Sequence, residues 1–413
     1  MATPPDTSLT RQLSVYRQEM ETELERILAF WIEHTLDHRN GGFVGQIGPT
    51  GEVNPEAPKG SILNARILWT FSAAFRQTGQ KTYQEIATRA FEYLCASFLD
   101  SAHGGIYWMV DAQGQPLNTR KQIYALAFTV YGMSEFYLAT QNEKALEVSQ
   151  ELFRWIEQYS YDPEHGGYLE AFSQTGELLE DLRLSEKDRN DPKTMNTHLH
   201  ILEAYANLFR AWPDPLLGKQ LRGLIGVFLD HIVDAETGHL RLFFACDWTS
   251  SANLISYGHD IEASWLLQEA AEVLGDQELL SRVKALALTM AQATAEALLP
   301  DGSLYHELNV DEHHYDTHRE WWVSAEAMVG FLNAYELTGQ EAFLRHSLNA
   351  WRFAQTYFLD LERGEWHWGV HDDYSLMSKE DKVGFWKCPY HNARACLEVI
   401  HRCRKIIGEA VAE

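Results

Sequence analysis

Apolar positions recur along this chain at helical spacing, in two alternating kinds of segment. In 20–31, 83–98 and 146–159 they fall three and four residues apart, and Glu, Arg and Gln fill the positions between. That is the pattern of a helix with one buried face. In 62–75, 124–137, 197–212, 259–274, 322–337 and 390–403 apolar residues cover most faces. These segments predict helices buried nearly all round. Between the two kinds lies a turn of the form Asp-x-x-x-Gly, followed by a short alternating run. It occurs as Asp37 with Gly41, Asp100 with Gly104, Asp162 with Gly166, Asp234 with Gly238 and Asp360 with Gly364. A further member places Leu298 where the Asp should be, ahead of Gly302. Asp before Gly supplies turn chemistry, and the alternating run predicts a hairpin strand.

The six glycines are separated by 63, 62, 72, 64 and 62 residues, a period that marks an internal repeat. Each repeat combines an outer one-sided helix, a hairpin and an inner buried helix. Six such pairs predict an all-α fold, an (α/α)6 barrel of six helix pairs with short β-hairpins at one end. The expected organisation is a single domain, 1–413, with 1–10 and 408–413 frayed. An open solenoid of helix pairs is the alternative, but no polar capping repeat stands at either end to support it.

Composition narrows the partners. The formal charge of −25 repels nucleic acid and anionic membranes, and no basic run offsets it. No apolar run approaches the roughly 18 residues that span a bilayer. The N-terminal stretch is polar, with no apolar core of a signal peptide. Five cysteines without CxxC spacing read as reduced thiols, so a cytoplasmic protein is expected. Thirteen Trp in an acidic chain suit a sugar site, since rings stack on sugar faces, and suit a large core equally. A closed barrel can stand alone, so a monomer is expected, with a dimer as the alternative.

Aligned by their repeats, the inner helices place polar residues in their first turns: Arg66, His200, Glu262, Glu326 and Arg394 in register, with His259, His391 and Asn196 one turn earlier. The second repeat contributes Tyr124. In a parallel ring these side chains meet at one mouth. Polar groups on otherwise buried helices are costly without partners. They form either a satisfied plug, with ion pairs such as Arg66 to Glu262, or a pocket. Three imidazoles can exchange protons near neutral pH. Arg66 can grip a carbonyl or enediolate oxygen, and six helix N-termini favour an anion. The set suits proton abstraction beside a carbonyl. Glu262, three residues after His259 on the same helix face, is expected to orient that imidazole or hold a substrate hydroxyl. Trp322 and Trp386, at the starts of inner helices, are candidate walls for a sugar ring. His306, His313, His314 and His318 cluster in 304–320, read as a solvated loop or lid. A metal there is the lesser alternative, and no metal is assigned.

Four motifs carry a family resemblance. They are Leu63-Asn64-Ala65-Arg66-Ile67-Leu68-Trp69, Lys193-Thr194-Met195-Asn196-Thr197-His198-Leu199-His200, Ser256 through Trp265, and Trp386-Lys387-Cys388-Pro389-Tyr390-His391-Asn392. With them the chain resembles the N-acylglucosamine 2-epimerase superfamily over roughly 15–405. It is most similar to the cellobiose 2-epimerase branch, with mannose 2-epimerases as close relatives. The resemblance implies an (α/α)6 barrel and a cofactor-independent epimerisation at C2 of an aldose. It makes His259 and His391 the acid/base pair, His200 an assistant, and Arg66 the holder of substrate oxygens. It places Tyr124, Asn196, Glu262, Trp322 and Trp386 in the pocket, with Asp188 as a further sugar contact. Glu326 joins the substrate-binding set from its position in the ring. Rival readings are a glycoside hydrolase using Glu262 and Glu326, a non-catalytic sugar-binding protein, and an aldose–ketose isomerase sharing the enediolate.

Overall fold

The computed structural model describes residues 7–186 and 188–409. Twelve α-helices run through them: α1 (Thr7–His34), α2 (Ser61–Thr78), α3 (Lys81–Tyr93), α4 (Ile123–Thr140), α5 (Glu143–Tyr159), α6 (Met195–Ala211), α7 (Pro215–Val227), α8 (Tyr257–Leu274), α9 (Gln277–Thr294), α10 (Trp321–Thr338), α11 (Glu341–Tyr357) and α12 (Tyr390–Ile407). Of the ends expected to fray, 7–10 lie within α1 and Gly408 caps α12. Residues 1–6 and 410–413 lie outside the described residues.

The even-numbered helices form the inner ring. Each packs on the next, α2 on α4, α4 on α6, α6 on α8, α8 on α10 and α10 on α12, and α12 returns to α2. The odd-numbered helices lie outside, with α3, α5, α7, α9 and α11 each against the inner helix before it and α1 against α12. Closure extends to the loops, where Ile47 of the first repeat bridges Val383 of the sixth. The fold is the (α/α)6 barrel that the hydrophobic pattern predicts, and the solenoid alternative falls. Sequence explains the two layers. Helix α4 is buried at every residue from Ile123 to Phe136, whereas α5 buries one stripe that includes Val148, Leu152 and Ile156. Gly330 lets α10 approach α8: a Cβ there would stand 2.6 Å from the Ile261 carbonyl oxygen.

The Asp-to-Gly turns close as one-bridge hairpins, Leu36 with Phe43 and Tyr161 with Tyr168 among them. Longer pairings join successive repeats. The strand ahead of each of the first five inner helices pairs antiparallel with a strand of the following repeat: β1 (Lys59–Gly60) with β2 (Met109–Val110), β4 (Lys121–Gln122) with β5 (Ala171–Phe172), and β6 (Lys193–Thr194) with β7 (Phe243–Phe244). Likewise β8 (Leu254–Ser256) pairs with β9 (Glu307–Asn309), and β11 (Arg319–Glu320) with β12 (Gly369–Val370). Strand β3 (Pro116–Asn118) extends β2, and β10 (His314–Asp316) extends β9.

A buried lysine fixes several of these turns to the inner helices. Lys59 reaches Asp37 at 2.7 Å, Lys121 reaches Asp100 at 2.8 Å, Lys193 reaches Asp162 at 2.8 Å and Lys382 reaches Asp360 at 2.7 Å. Burial of an ammonium requires a close counter-charge and further acceptors, and Lys59 and Lys193 also donate to the Gly41 and Gly166 carbonyls. The first three lysines stand two residues before their helices. They therefore set where each inner helix begins, and so where its first-turn side chains point.

Candidate active site

The first turns of the inner helices converge around Arg394 of α12. Its guanidinium donates to Glu203 of α6 at 2.8 Å and to Glu326 of α10 at 2.7 Å, and it pairs with Glu262 of α8. It also stacks on Tyr390, with 4.2 Å to the ring centroid, and on Trp265, with 4.8 Å. All four charged side chains are 1% exposed. Burial works against ionising each carboxyl. In Glu326 the Arg394 charge and the His391 hydrogen bond overcome that penalty, and its pKa falls. In Glu262 burial and the neighbouring Glu326 charge prevail over Arg394, and its pKa rises. Burial likewise pushes Glu203 up, to about 7. One guanidinium thus holds three carboxyl groups that share fewer than three charges.

Two of these carboxyls hold imidazoles. Glu326 Oε1 lies 2.7 Å from His391 Nδ1, and Glu203 Oε1 lies 2.6 Å from His200 Nδ1. His259 Nδ1 is bonded to Ser256 Oγ at 2.7 Å. In all three rings Nε2 is the nitrogen left for chemistry. The His259 and His391 rings both flank the Trp322 indole, with centroids 4.8 and 5.8 Å away. Trp322 fits because residue 258 is glycine: a Cβ there would fall 2.5 Å from the indole. Burial pushes the His259 pKa down to about 3, helped by the nearby His200, His306 and His391. Burial also brings His391 to about 3 against the pull of Glu326, and drives His200 well below the ordinary imidazole value. The free protein therefore presents three neutral imidazoles at neutral pH.

Arg66 lies on the other side of His200. It donates to the Tyr124 hydroxyl at 2.9 Å and to Cys388 Sγ at 3.7 Å. Its guanidinium sits 4.2 Å from the Phe128 ring centroid. The Tyr124 ring meets His200 edge-on at 4.8 Å and Trp386 at 5.9 Å. Among the described residues no carboxylate pairs with Arg66, and its Nε is buried without a partner. A buried cation without a counter-ion is expensive, so Arg66 is a ready partner for an anionic oxygen.

A cavity of about 470 Å3 opens beside His259, and its lining includes Asn196 and Asp188 together with His306, Glu320 and Trp368. The Asn196 Oδ1 is buried and unpartnered. Asp188 is held at the rim, accepting from the Ser185 amide at 2.8 Å. A second cavity, of about 300 Å3, is lined by the opposite ends of the inner helices, with Arg76, Arg210 and Arg402. Each of those arginines is paired with a glutamate, and none of the candidate residues lies there.

The structure thus joins the predicted residues at one mouth and corrects three details. Arg66 and Glu262 form no pair, because Arg394 takes Glu262. Glu262 does not orient His259, because Ser256 does. The stretch 304–320 is not a solvated loop. Its residues form β9, β10 and β11, with β9 between β8 and β10, and His306 packs near Trp322 at 6.0 Å. His198 turns away, as helical geometry requires, and its Nε2 accepts from the Tyr168 amide at 2.8 Å. Sequence reasoning missed Glu203, Ser256 and Glu320. Glu203 carried a usable signal, since it lies three residues after His200 on the same helix face. Glu320 accepts from the Trp322 and Trp368 indoles at 2.7 and 3.1 Å, and no sequence spacing announces that. Donor atoms close enough for a metal occur in two groups, His391 with Glu262 and Glu326, and His306 with His318 and Glu320. In the first group Arg394 already occupies the carboxylates.

Comparison with known proteins agrees with this geometry. The profile of the N-acylglucosamine 2-epimerase (GlcNAc 2-epimerase) family matches residues 41–395. The chain is 49% identical over 387 residues to the cellobiose 2-epimerase of Bacteroides fragilis, covering 94% of this chain and 99% of that one. The structure of cellobiose 2-epimerase from Bacillus thermoamylovorans superposes with a TM-score of 0.90 at 41% identity, covering 94% of this chain and all of the other. That from Spirochaeta thermophila gives 0.91 at 40% identity, covering 97% and 100%.

Proposed function

The chain belongs to the N-acylglucosamine 2-epimerase family, and from that premise we propose that it is a sugar 2-epimerase acting on disaccharides, without a cofactor. It interconverts glucose and mannose configuration at C2 of the reducing-end residue of β-1,4-linked substrates such as cellobiose. The supporting observation is that two neutral imidazoles, His259 and His391, flank one indole beside a cavity, near a buried guanidinium that has no counter-ion. Free mannose and glucose are the alternative substrates. Residues 1–413 act as one catalytic domain, since the site draws on all six inner helices. The five cysteines are unpaired, which fits a cytoplasmic enzyme.

The geometry divides the steps. His391 moves the anomeric hydroxyl proton to the ring oxygen as the C1–O5 bond breaks, giving the open aldehyde. One imidazole of the pair then takes the C2 proton on Nε2. The C–H electrons form the C1–C2 double bond, and the carbonyl electrons collect on O1. Arg66 and the helix N-termini stabilise that oxygen. The Tyr124 hydroxyl and Cys388 Sγ keep Arg66 in place, and His200 assists at the enediolate. Rotation about C2–C3 turns the other face of the cis-enediolate to the opposite imidazole. That ring takes up a proton from water beside the bound anion and delivers it to C2, and the first ring releases its proton to water. Two bases on opposite faces are what inversion at carbon asks for. Trp322 and Trp386 wall the sugar, and Asn196 and Asp188 hold hydroxyls.

Proton NMR in heavy water with cellobiose, mannose and N-acetylglucosamine tests this reading. The expected result is a mannose-configured reducing end from cellobiose, with deuterium at C2. Release of free glucose would replace the reading by a hydrolase. Absence of C2 exchange with every sugar would leave only a binding protein.

A further inference from the structure

At the start of α10, three side chains that the reaction does not use are arranged as ligands. Donor atoms of His306, His318 and Glu320 all lie within 4.8 Å of one another. His318 Nε2 stands 3.2 Å from Glu320 Oε1, near the roughly 3.4 Å that separates two ligands of a tetrahedral zinc with N and O bonds near 2.1 Å. The His306 ring lies beside that of His318, with centroids 4.4 Å apart.

The surrounding residues orient these donors as a metal site would need. Asp316 accepts from His318 Nδ1, which aims Nε2 at Glu320. A carboxylate behind a ligating imidazole is the usual outer partner of a zinc histidine. Glu320 is fixed by the two indole N–H groups of Trp322 and Trp368. His306 Nδ1 is buried without a hydrogen-bond partner among the described residues. The backbone beneath is paired: β10 on β9 with Asp316 opposite Glu307, and the His306 amide on the Asp316 carbonyl at 3.1 Å. The side chains are only 14%, 21% and 14% exposed, and they face the cavity that His259 also lines.

We propose that His306, His318 and Glu320 form a binding site for a divalent transition-metal ion of the zinc class, and that the bound ion obstructs the sugar cavity. Two imidazoles and one carboxylate select such ions over magnesium and calcium, which prefer oxygen ligands. A fourth position is left to water. An ion there pulls on Glu320, and through it on the Trp322 indole that neighbours both imidazoles of the pair. Metal binding stands apart from the epimerase reading. Only its inhibitory effect rests on that reading.

Zinc titrated by calorimetry into chelator-treated full-length protein, without sugar, tests the site. The expected result is one Zn2+ per chain, with affinity lost in both His318→Gln and His306→Gln and reduced about 10- to 100-fold in Asp316→Asn. His391→Gln should bind as the parent does, which separates this site from the buried His391 group. Cobalt in place of zinc should give a visible absorption band that both rim variants lack. Circular dichroism identifies any variant that has not folded, and the other then decides. No binding at millimolar zinc would overturn the proposal, as would binding that survives the rim substitutions or disappears with His391→Gln. With cellobiose as substrate, zinc should raise KM in the parent and not in His318→Gln.

Discussion

Glu326 joins His391 to Trp265: one carboxylate oxygen lies 2.7 Å from His391 Nδ1 and the other accepts the Trp265 indole N–H at 3.1 Å. The imidazole of the last inner helix, the proposed acid/base, is therefore aimed by a carboxylate on the helix before it, itself braced by Arg394.

That bracing has a kinetic consequence. Glu326→Gln keeps the shape but cannot hold the Nδ1 proton as an ionised carboxylate does. It should lower kcat by about 10²- to 10⁴-fold, the usual contribution of a positioned acid/base group, with little change in KM. Steady-state kinetics on cellobiose check this. A rise in KM at constant kcat would instead make Glu326 a substrate ligand.

Among the described residues Arg66 has no carboxylate partner, and the proposed mechanism sets it against the developing anion. Arg66→Ala should reduce kcat/KM by about 10²- to 10³-fold, as for the loss of one oxyanion donor. Arg66→Lys keeps the charge but loses the two-pronged donor geometry, and should recover only part of the rate.

The acidity of the imidazoles sets the pH profile. Both His259 and His391 are pushed down to about 3. A base with a low pKa stays unprotonated as pH falls, so its activity is lost near that value and not at the ordinary imidazole value. The profile of kcat/KM, which reports the free enzyme, should run level through pH 6.5 and fall only in far more acid solution. A clear acid limb centred at pH 6.5 would contradict the burial assigned to these rings.

Glu365 supplies a test of the frame. Three other repeats place glycine here (Gly42, Gly105 and Gly167), and Glu365 adopts the same left-handed backbone with φ of 59°. Its carboxylate compensates. It accepts from Trp31 Nε1 at 2.6 Å, Lys387 Nζ at 2.8 Å and Asn392 Nδ2 at 2.7 Å. Glu365→Gly relieves about 1 kcal/mol of strain but strands a buried ammonium, which costs about 3–5 kcal/mol. The net loss, about 2–4 kcal/mol, should appear in urea unfolding. Because Asn392 adjoins His391, kcat should fall as well.

How much of this was legible in the sequence varies with the length scale. The helices and their two layers follow from local period, as α4 and α5 illustrate, and six repeats of similar length suggested closure. The contact that closes the ring, Ile47 with Val383, spans nearly the whole chain and leaves no local trace. The strands between repeats are two or three residues long, too short to carry an alternation, and their partners lie in the next repeat. Within the site, residue types and register singled out His259, His391, His200 and Arg66, whose side chains the structure brings close together. Which carboxylate serves which imidazole was only partly legible, because Glu203 and Glu262 stand at the same spacing from His200 and His259 although only the first pair meets, and Glu326 serves an imidazole on another helix. Only the position of Arg394 distinguishes them, drawing Glu262 away from His259 and leaving that ring to Ser256.

The central claim, that His259 and His391 act on opposite faces of one sugar carbon, is tested most directly by C2-proton exchange in heavy water, measured separately for each epimer with His259→Ala and His391→Ala. The account predicts that neither variant interconverts the epimers, that His259→Ala still exchanges the C2 proton of one epimer only, and that His391→Ala, which also lacks the ring-opening group, exchanges far more slowly and only the other epimer. Epimerisation surviving in either variant, or both variants exchanging the same epimer, would contradict it.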